Sequence, residues 1–340
     1  MNDNASAPPA NRFRVAAVQA APAFLDLAGT VAKTERLIGD AAAAGAKLVA
    51  FPECWCPGYP WWIWLGSPAW GLRFMVPYLR NALRRDSAEM ARIRAAAREH
   101  GIVVVLGYAE AEGGTLYMAQ SIIGDDGRVL AHRRKLKPAR IERSVFGQGD
   151  GSDLAVVDTR LGRVGALCCG EHFQPLLKCA MIAQGEQIHV AAWPAFSLLR
   201  GKAYLNGPEA ATVASQMYAI EGQCFVLAPT MVNDEAVLAA VCDTDERRAM
   251  LSVPGKAAAG GRAMVFAPDG KPMAEFLPED QEGLVIAEID TDALYAAKTA
   301  GDTLGHWARP DVVRLMLDRA PKPKVVEFGE SLAALPGAPR

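Results

Sequence analysis

The 340-residue sequence predicts a layered α/β domain in which helices cover a mixed sheet. Three observations lead there. Short apolar, β-branched runs alternate with longer amphipathic ones through most of the chain. Two hairpin signals, Asp125-Asp126-Gly127 and Pro268-Asp269-Gly270, interrupt that alternation and add antiparallel pairs. No Pro/Gly/Ser-rich linker divides the chain. The recurring strand–helix–strand units admit two sheets packed face to face.

The elements follow in order. Phe13 to Gln19 (FRVAAVQ) is the first strand, after a polar, flexible segment 1–12. Leu27 to Ala44 is a helix, with Val31, Leu37, Ile38 and Ala41 on one face and Gly45 as its stop. Lys47 to Phe51 is a second strand. Ser87 caps a helix that reaches His100, where Gly101 ends it. Ile102 to Tyr108 is strongly β-branched and strand-forming. Tyr117 to Ile123 and Val129 to Arg133 make the first hairpin. Val164 to Cys168, Ile188 to Ala192 and Cys224 to Ala228 are strands; Gln174 to Gln184 and Glu209 to Glu221 are helices. Ala263 to Phe266 and Lys271 to Phe276 make the second hairpin, and Glu282 to Ile289 is a late strand. The domain spans 13–318, and a Pro- and Lys-rich tail, 319–340, leaves it.

Composition excludes several functions. The net charge is −2, with 51% hydrophobic and 22% charged residues. Such a chain folds, and it has no positive excess for nucleic acid. Seven cysteines and no secretory leader point to free thiols in a reducing cytoplasm. Cys54 to Leu72 is uncharged over 19 residues, a span that could cross a bilayer. Its three prolines and three glycines argue against a membrane helix, leaving a buried aromatic loop.

Three segments could carry chemistry. Val164 to His172 is a strand running into a helix at Phe173. A cysteine at that junction, Cys168 or Cys169, meets free N–H groups and a helix dipole that favour a thiolate; an ordinary buried cysteine pair is the alternative. Glu53 closes Phe51-Pro52-Glu53 at a strand end, ahead of the apolar loop, where a carboxyl is raised toward general-base duty. A surface turn is the alternative. His132-Arg133-Arg134-Lys135-Leu136-Lys137 is a solvated charged strand, a small basic patch, or a way to aim one lysine inward with Glu142 orienting it. Gly147 to Gly151 lacks nucleotide-binding spacing, no G-x-S-x-G elbow occurs, and the Cys and His spacings do not match a zinc site.

Together these segments resemble the Glu–Lys–Cys signature of the nitrilase (carbon–nitrogen hydrolase) superfamily: Phe51-Pro52-Glu53, Arg134-Lys135-Leu136-Lys137-Pro138, and Cys169 before Glu171-His172. Gly58 to Trp64, Lys137 to Arg143, Gln187 to Pro194 and Gly305 to Asp311 resemble bacterial nitrilases of the aliphatic and arylacetonitrile type. The resemblance covers Phe13 to Asp318. It implies a four-layer αββα sandwich of two mixed sheets, a cofactor-free and metal-free reaction, and homodimers or larger homo-oligomers. It implies that Cys169 attacks a small nitrile, Glu53 serves as base, Lys135 and the Gly170 N–H stabilise charge, and Glu142 positions Lys135; Lys137 is the rival for Lys135's place. It implies a pocket built from Tyr59, Trp61, Trp62, Gly170, His172, Trp193 and Pro194. Gly170 departs from the tryptophan common after the nucleophile, which makes room for bulky or arylaceto-type nitriles. An amidase or nitrile-hydrating relative would use the same three residues. A catalytically silent oligomeric binding protein is the alternative of another class.

Overall fold

A computed structural model describes residues 11–325 except 199, 201–202 and 257. The first sheet begins with β1 (Arg12–Ala20), β2 (Ala46–Ala50) and β3 (Val103–Glu112), which run parallel. β4 (Thr115–Ile123) and β5 (Val129–Arg134) continue it as an antiparallel meander, turning at Gly127 with φ +79°. The two-residue β6 (Phe146–Gly147) pairs with β4. The second sheet contains β7 (Val157–Thr159), β8 (Gly162–Cys168), β9 (Ile188–Ala192) and β10 (Phe225–Ala228), the last three parallel. β11 (Thr230–Met231) crosses to β1, β12 (Met264–Phe266) edges the second sheet, and β13 (Gly283–Asp290) returns antiparallel to β1.

Burial explains the layers. β1, β2, β8 and β9 are largely buried on both faces and mostly apolar, as strands covered on both sides are. Val15, Leu48 and Val103 of the first sheet share a core with Val164, Val190 and Phe225 of the second. Helices α1 (Leu27–Ala43), α2 (Trp62–Leu65), α3 (Pro68–Asn81) and α4 (Ala88–His100) lie over the first sheet's outer face. Helices α5 (Pro175–Ile182) and α6 (Pro208–Gly222) cover the second. The result is the expected αββα sandwich. α7 (Glu235–Val241), α8 (Asp245–Leu251) and α9 (Asp292–Ala300) complete the chain order.

Local chemistry sets the ends. Asp26 caps α1 and Ser87 caps α4, each side chain accepting from a backbone N–H three residues on. Gly101 closes α4 at φ +57°.

Two expectations need correction. The stretch after Cys54 is buried and aromatic, but it is not all loop: α2 and the start of α3 lie in it. Ser67 accepts from the Trp70 N–H and Pro68 stands at the first turn, where proline favours a helix. The second hairpin forms its turn, with Gly270 N–H donating to the Ala267 carbonyl, yet 271–276 makes no strand. Pro272 brings no N–H to the ladder and leaves only an isolated bridge to Phe266. Among the described residues, no helix is long and apolar enough to cross a membrane. The first residues of the expected tail run along the domain, where the Lys322 N–H donates to Asp150; 326–340 and 1–10 lie outside the described residues.

Candidate active site

Three strand ends, those of β2, β5 and β8, meet at one edge of the sandwich, where active sites of α/β proteins collect. Beyond β2 the chain delivers Glu53 into the interior, fully buried. Gly107 of β3 permits this: a Cβ there would sit 2.1 Å from the Pro52 carbonyl oxygen. Lys135 follows β5 directly and is also buried. Its Nζ donates to Glu53 Oε1 at 2.8 Å and to Glu142 Oε2 at 2.9 Å. Glu142 is fixed in turn by the Tyr59 hydroxyl at 2.8 Å and the Ala139 N–H at 2.6 Å.

The electrostatics follow from burial. Glu53 Oε2 is buried without a hydrogen-bond partner. Loss of water pushes the Glu53 carboxyl up to about 7, against the pull of Lys135. Burial alone would neutralise Lys135, but Glu142 and Glu53 hold its ammonium well above the usual lysine range.

Cys169 comes from the second sheet. It follows β8 as the first residue of a tight 3₁₀ turn, Cys169–Phe173, and its φ is +42°. That left-handed conformation is strained for a residue with a Cβ, and the surroundings must hold it. The expected helix at Phe173 starts instead at Pro175, so its N-terminus does not fall at the cysteine. Burial and the nearby Glu53 carboxylate push the Cys169 thiol up, opposite to the sequence expectation. Neighbouring Cys168 is raised for the same first reason.

Glu171 escaped the sequence reading of the site. It accepts from Arg133 at 2.7 Å, from the Leu136 N–H at 3.0 Å and from the Cys168 N–H at 2.9 Å. One buried carboxylate thus ties the segment carrying Lys135 to the segment carrying Cys169. The signal was in the sequence: an acidic residue two positions past the cysteine and an arginine two before the lysine.

The basic run around Lys135 is neither a solvated strand nor a patch. Arg133 pairs with Glu171, Arg134 with Glu110 and Glu112, and His132 with Glu110. Lys137 is exposed on Gln148, which removes it as a rival for Lys135's place.

A cavity of about 150 Å³ opens on Cys169. Tyr59, Trp61, Gly170, Trp193 and Pro194 line it as expected, with Glu142 in its wall. Trp62 and His172 do not. Trp62 stacks on Phe74 and meets Tyr78 edge-on in the core beneath α3. His172 turns away from the cavity to bond the Cys169 carbonyl and His189. In their place stand Trp64 and Phe173, with Phe196, Leu198 and Asn206. Trp64 was within the quoted aromatic stretch; Phe196 and Asn206 lie on a segment with no periodic signal.

Residues 14–299 match the carbon–nitrogen hydrolase family. The chain belongs to that family. This carbon–nitrogen hydrolase is 51% identical over 316 residues to a nitrilase from Pseudomonas syringae pv. syringae, covering 93% of each chain. It is 48% identical over 305 residues to an arylacetone-specific nitrilase from Alcaligenes faecalis, covering 90% of this chain and 84% of that one. Its fold is similar to the crystal structure of a carbon–nitrogen hydrolase from Helicobacter pylori G27, with TM-score 0.68, 17% identity and coverage of 88% and 96%.

Proposed function

We propose that this carbon–nitrogen hydrolase is a nitrilase that converts a neutral organic nitrile, two waters in all, to a carboxylic acid and ammonia. The observation that carries the reading is the buried Lys135 bridging Glu53 and Glu142 beside a cavity that Cys169 lines. The Cys169 sulfur bonds to the nitrile carbon while Glu53 Oε2, the oxygen left without a partner, takes the thiol proton. One carbon–nitrogen π bond moves onto nitrogen, which receives that proton and becomes a thioimidate. Lys135 and the Gly170 N–H stabilise the charge that develops. Glu53 then activates water, the carbon–nitrogen bond breaks, and ammonia leaves a thioester. A second water releases the acid and restores the thiol. Burial raises both groups, the thiol well above its usual range and the Glu53 carboxyl to about 7, so Glu53 takes the proton as the sulfur–carbon bond forms.

The cavity supports an aromatic substrate. About 150 Å³ is room for a benzene-sized ring, and Trp61, Trp64, Phe173 and Trp193 offer apolar faces to it. At Gly170 an added Cβ would meet only the Ala139 Cβ, at 3.8 Å. The missing side chain is therefore open cavity beside the reacting carbon, which favours arylaceto-type and α-substituted nitriles.

The same reading places the enzyme in the cytoplasm as a homodimer or larger homo-oligomer, with 13–318 as one domain. All seven cysteines are unpaired, as a reducing compartment leaves them. Leu176, Val213, Met217 and Ile220 are exposed apolar side chains on α5 and α6, available to a second copy. Met181 on α5 is core, whereas Cys179 and Ile182 are half-buried.

Product analysis over aliphatic, aromatic and arylaceto-nitriles tests the reading. Acid and stoichiometric ammonia from phenylacetonitrile are expected. Amide as the sole product would make the chain a nitrile-hydrating relative, activity on amides alone an amidase, and no turnover of any nitrile or amide a binding protein.

A further inference from the structure

Behind the cavity lies a buried polar chain that the reaction above does not use. Tyr218 on α6 donates its hydroxyl to Glu186 Oε2 at 2.6 Å. Glu186 Oε1 is 2.7 Å from His189 Nδ1. His189 Nε2 is 2.9 Å from His172 Nε2, and His172 Nδ1 is 2.9 Å from the carbonyl oxygen of Cys169. Each of the four side chains is at most 3% exposed. The His189 ring stacks on Tyr218 with centroids 3.7 Å apart, and His172 packs against Trp193, a wall of the cavity.

With the His172 ring uncharged, counting protons gives the direction of every bond but one. A carbonyl only accepts, so His172 must carry its proton on Nδ1. Its Nε2 is then an acceptor, and His189 must donate from Nε2. The link from His189 Nδ1 to Glu186 needs one more proton, resting on either partner. Three protons therefore sit on Glu186, His189 and His172, one more than an ionised carboxylate and two neutral imidazoles hold. The cluster is neutral overall, the state least costly to bury. With one proton fewer, some link would set lone pair against lone pair.

The fold reserves space for this. Gly165 on β8 pairs in register with His189 on β9 and shares its outward face. A Cβ at Gly165 would lie 2.0 Å from Glu186 Oε1.

We infer that the Tyr218–Glu186–His189–His172 chain is a neutral, polarised strut that anchors the Cys169 carbonyl and so holds the nucleophile in its strained conformation. Its members are positioning residues. Cys169 is pinned from two sides: Glu171 fixes the N–H of the residue before it, and His172 fixes its own carbonyl. Burial, seconded by His189, depresses His172 and keeps its ring uncharged. The facing charges are compensated: Arg133 pairs with Glu171, and Lys178 with Glu221.

The inference rests on Cys169 being the nucleophile, and its test separates the two. Glutamine at 186 reproduces the polarity, donating its NH₂ to His189 Nδ1 and accepting from Tyr218. Glu186→Gln should therefore keep kcat near wild type. Glu186→Leu should lower kcat about ten- to hundredfold with KM little changed, the scale of a slightly misplaced nucleophile. In ¹⁵N-histidine spectra of the full-length enzyme, His172 should be the Nδ1–H tautomer in both the wild type and Glu186→Gln. An Nε2–H tautomer at His172, or Glu186→Gln losing as much kcat as Glu186→Leu, would overturn the strut. Should Glu186→Leu not fold, the tautomer and Glu186→Gln decide alone. Full turnover by Cys169→Ala would instead remove the nucleophile assignment while leaving the tautomer result intact.

Discussion

Lys135 is a cation placed where water cannot reach it, and two carboxylates make that tenable. Replacing it with methionine leaves Glu53 and Glu142 buried without their shared partner. Breaking such a pair costs about 3–5 kcal/mol, so Lys135→Met should lower the unfolding free energy by that order and abolish turnover, as denaturant melts and ammonia assays would show. Glu53 predicts the pH response. Its carboxyl, raised to about 7, works as a base only when ionised. The kcat/KM should therefore fall as pH drops through about 7 and level off above it. A flat profile down to the ordinary carboxylate range would remove Glu53 as the base. At Gly170 the expectation concerns selectivity. Gly170→Trp fills open cavity, so kcat/KM for phenylacetonitrile should drop relative to a small aliphatic nitrile; an unchanged ratio would show that position 170 does not shape the pocket. Glu53, Lys135 and Cys169 were singled out by the resemblance to the family signature, because their strand-end positions alone left each with an ordinary structural alternative. The environment of Cys169 was not legible in the sequence. Its dipole depended on where the next helix starts, and Pro175 set that start two residues beyond the expectation, while burial raises the thiol.

At the scale of the element, close approach and capping matter more than propensity. Gly107 lies mid-strand, where glycine is normally a weakness, and it remains because the Pro52 carbonyl fills its missing side chain. Gly107→Ala should displace Glu53 and lose activity out of proportion to any loss in melting temperature. The ends of α1 and α4 could be read directly, since Asp26, Ser87 and Gly101 act within their own turn. α3 could not be read by counting prolines: Pro68 at its first turn supports it, and Pro77 sits inside it nonetheless. The strand expected at 271–276 failed for the reverse reason. Its turn chemistry was right, but one proline removed a ladder donor. Local rules hold where both partners are local, and they miss where a distant strand decides.

For the whole molecule, the two sheets form one slab whose strand ends converge on a single edge. The layer between the sheets is the structural keel. Leu48 is fully buried there, whereas Leu72 on α3 is 67% exposed. Leu48→Ala should cost about 2–5 kcal/mol and Leu72→Ala little. The layer order was not readable from alternation alone, which admits one sheet or two. The sequence carried the two charges of the Glu171–Arg133 pair but not their contact, which spans both sheets. In the proposed reaction these sheets bring Glu53, Lys135 and Cys169 to one carbon atom. Mass spectrometry of the enzyme quenched during phenylacetonitrile turnover tests it most directly. A covalent thioimidate or phenylacetyl adduct is expected on the peptide carrying Cys169, absent from Cys169→Ala, which should be inactive. An adduct on another residue, or turnover by Cys169→Ala, would contradict it.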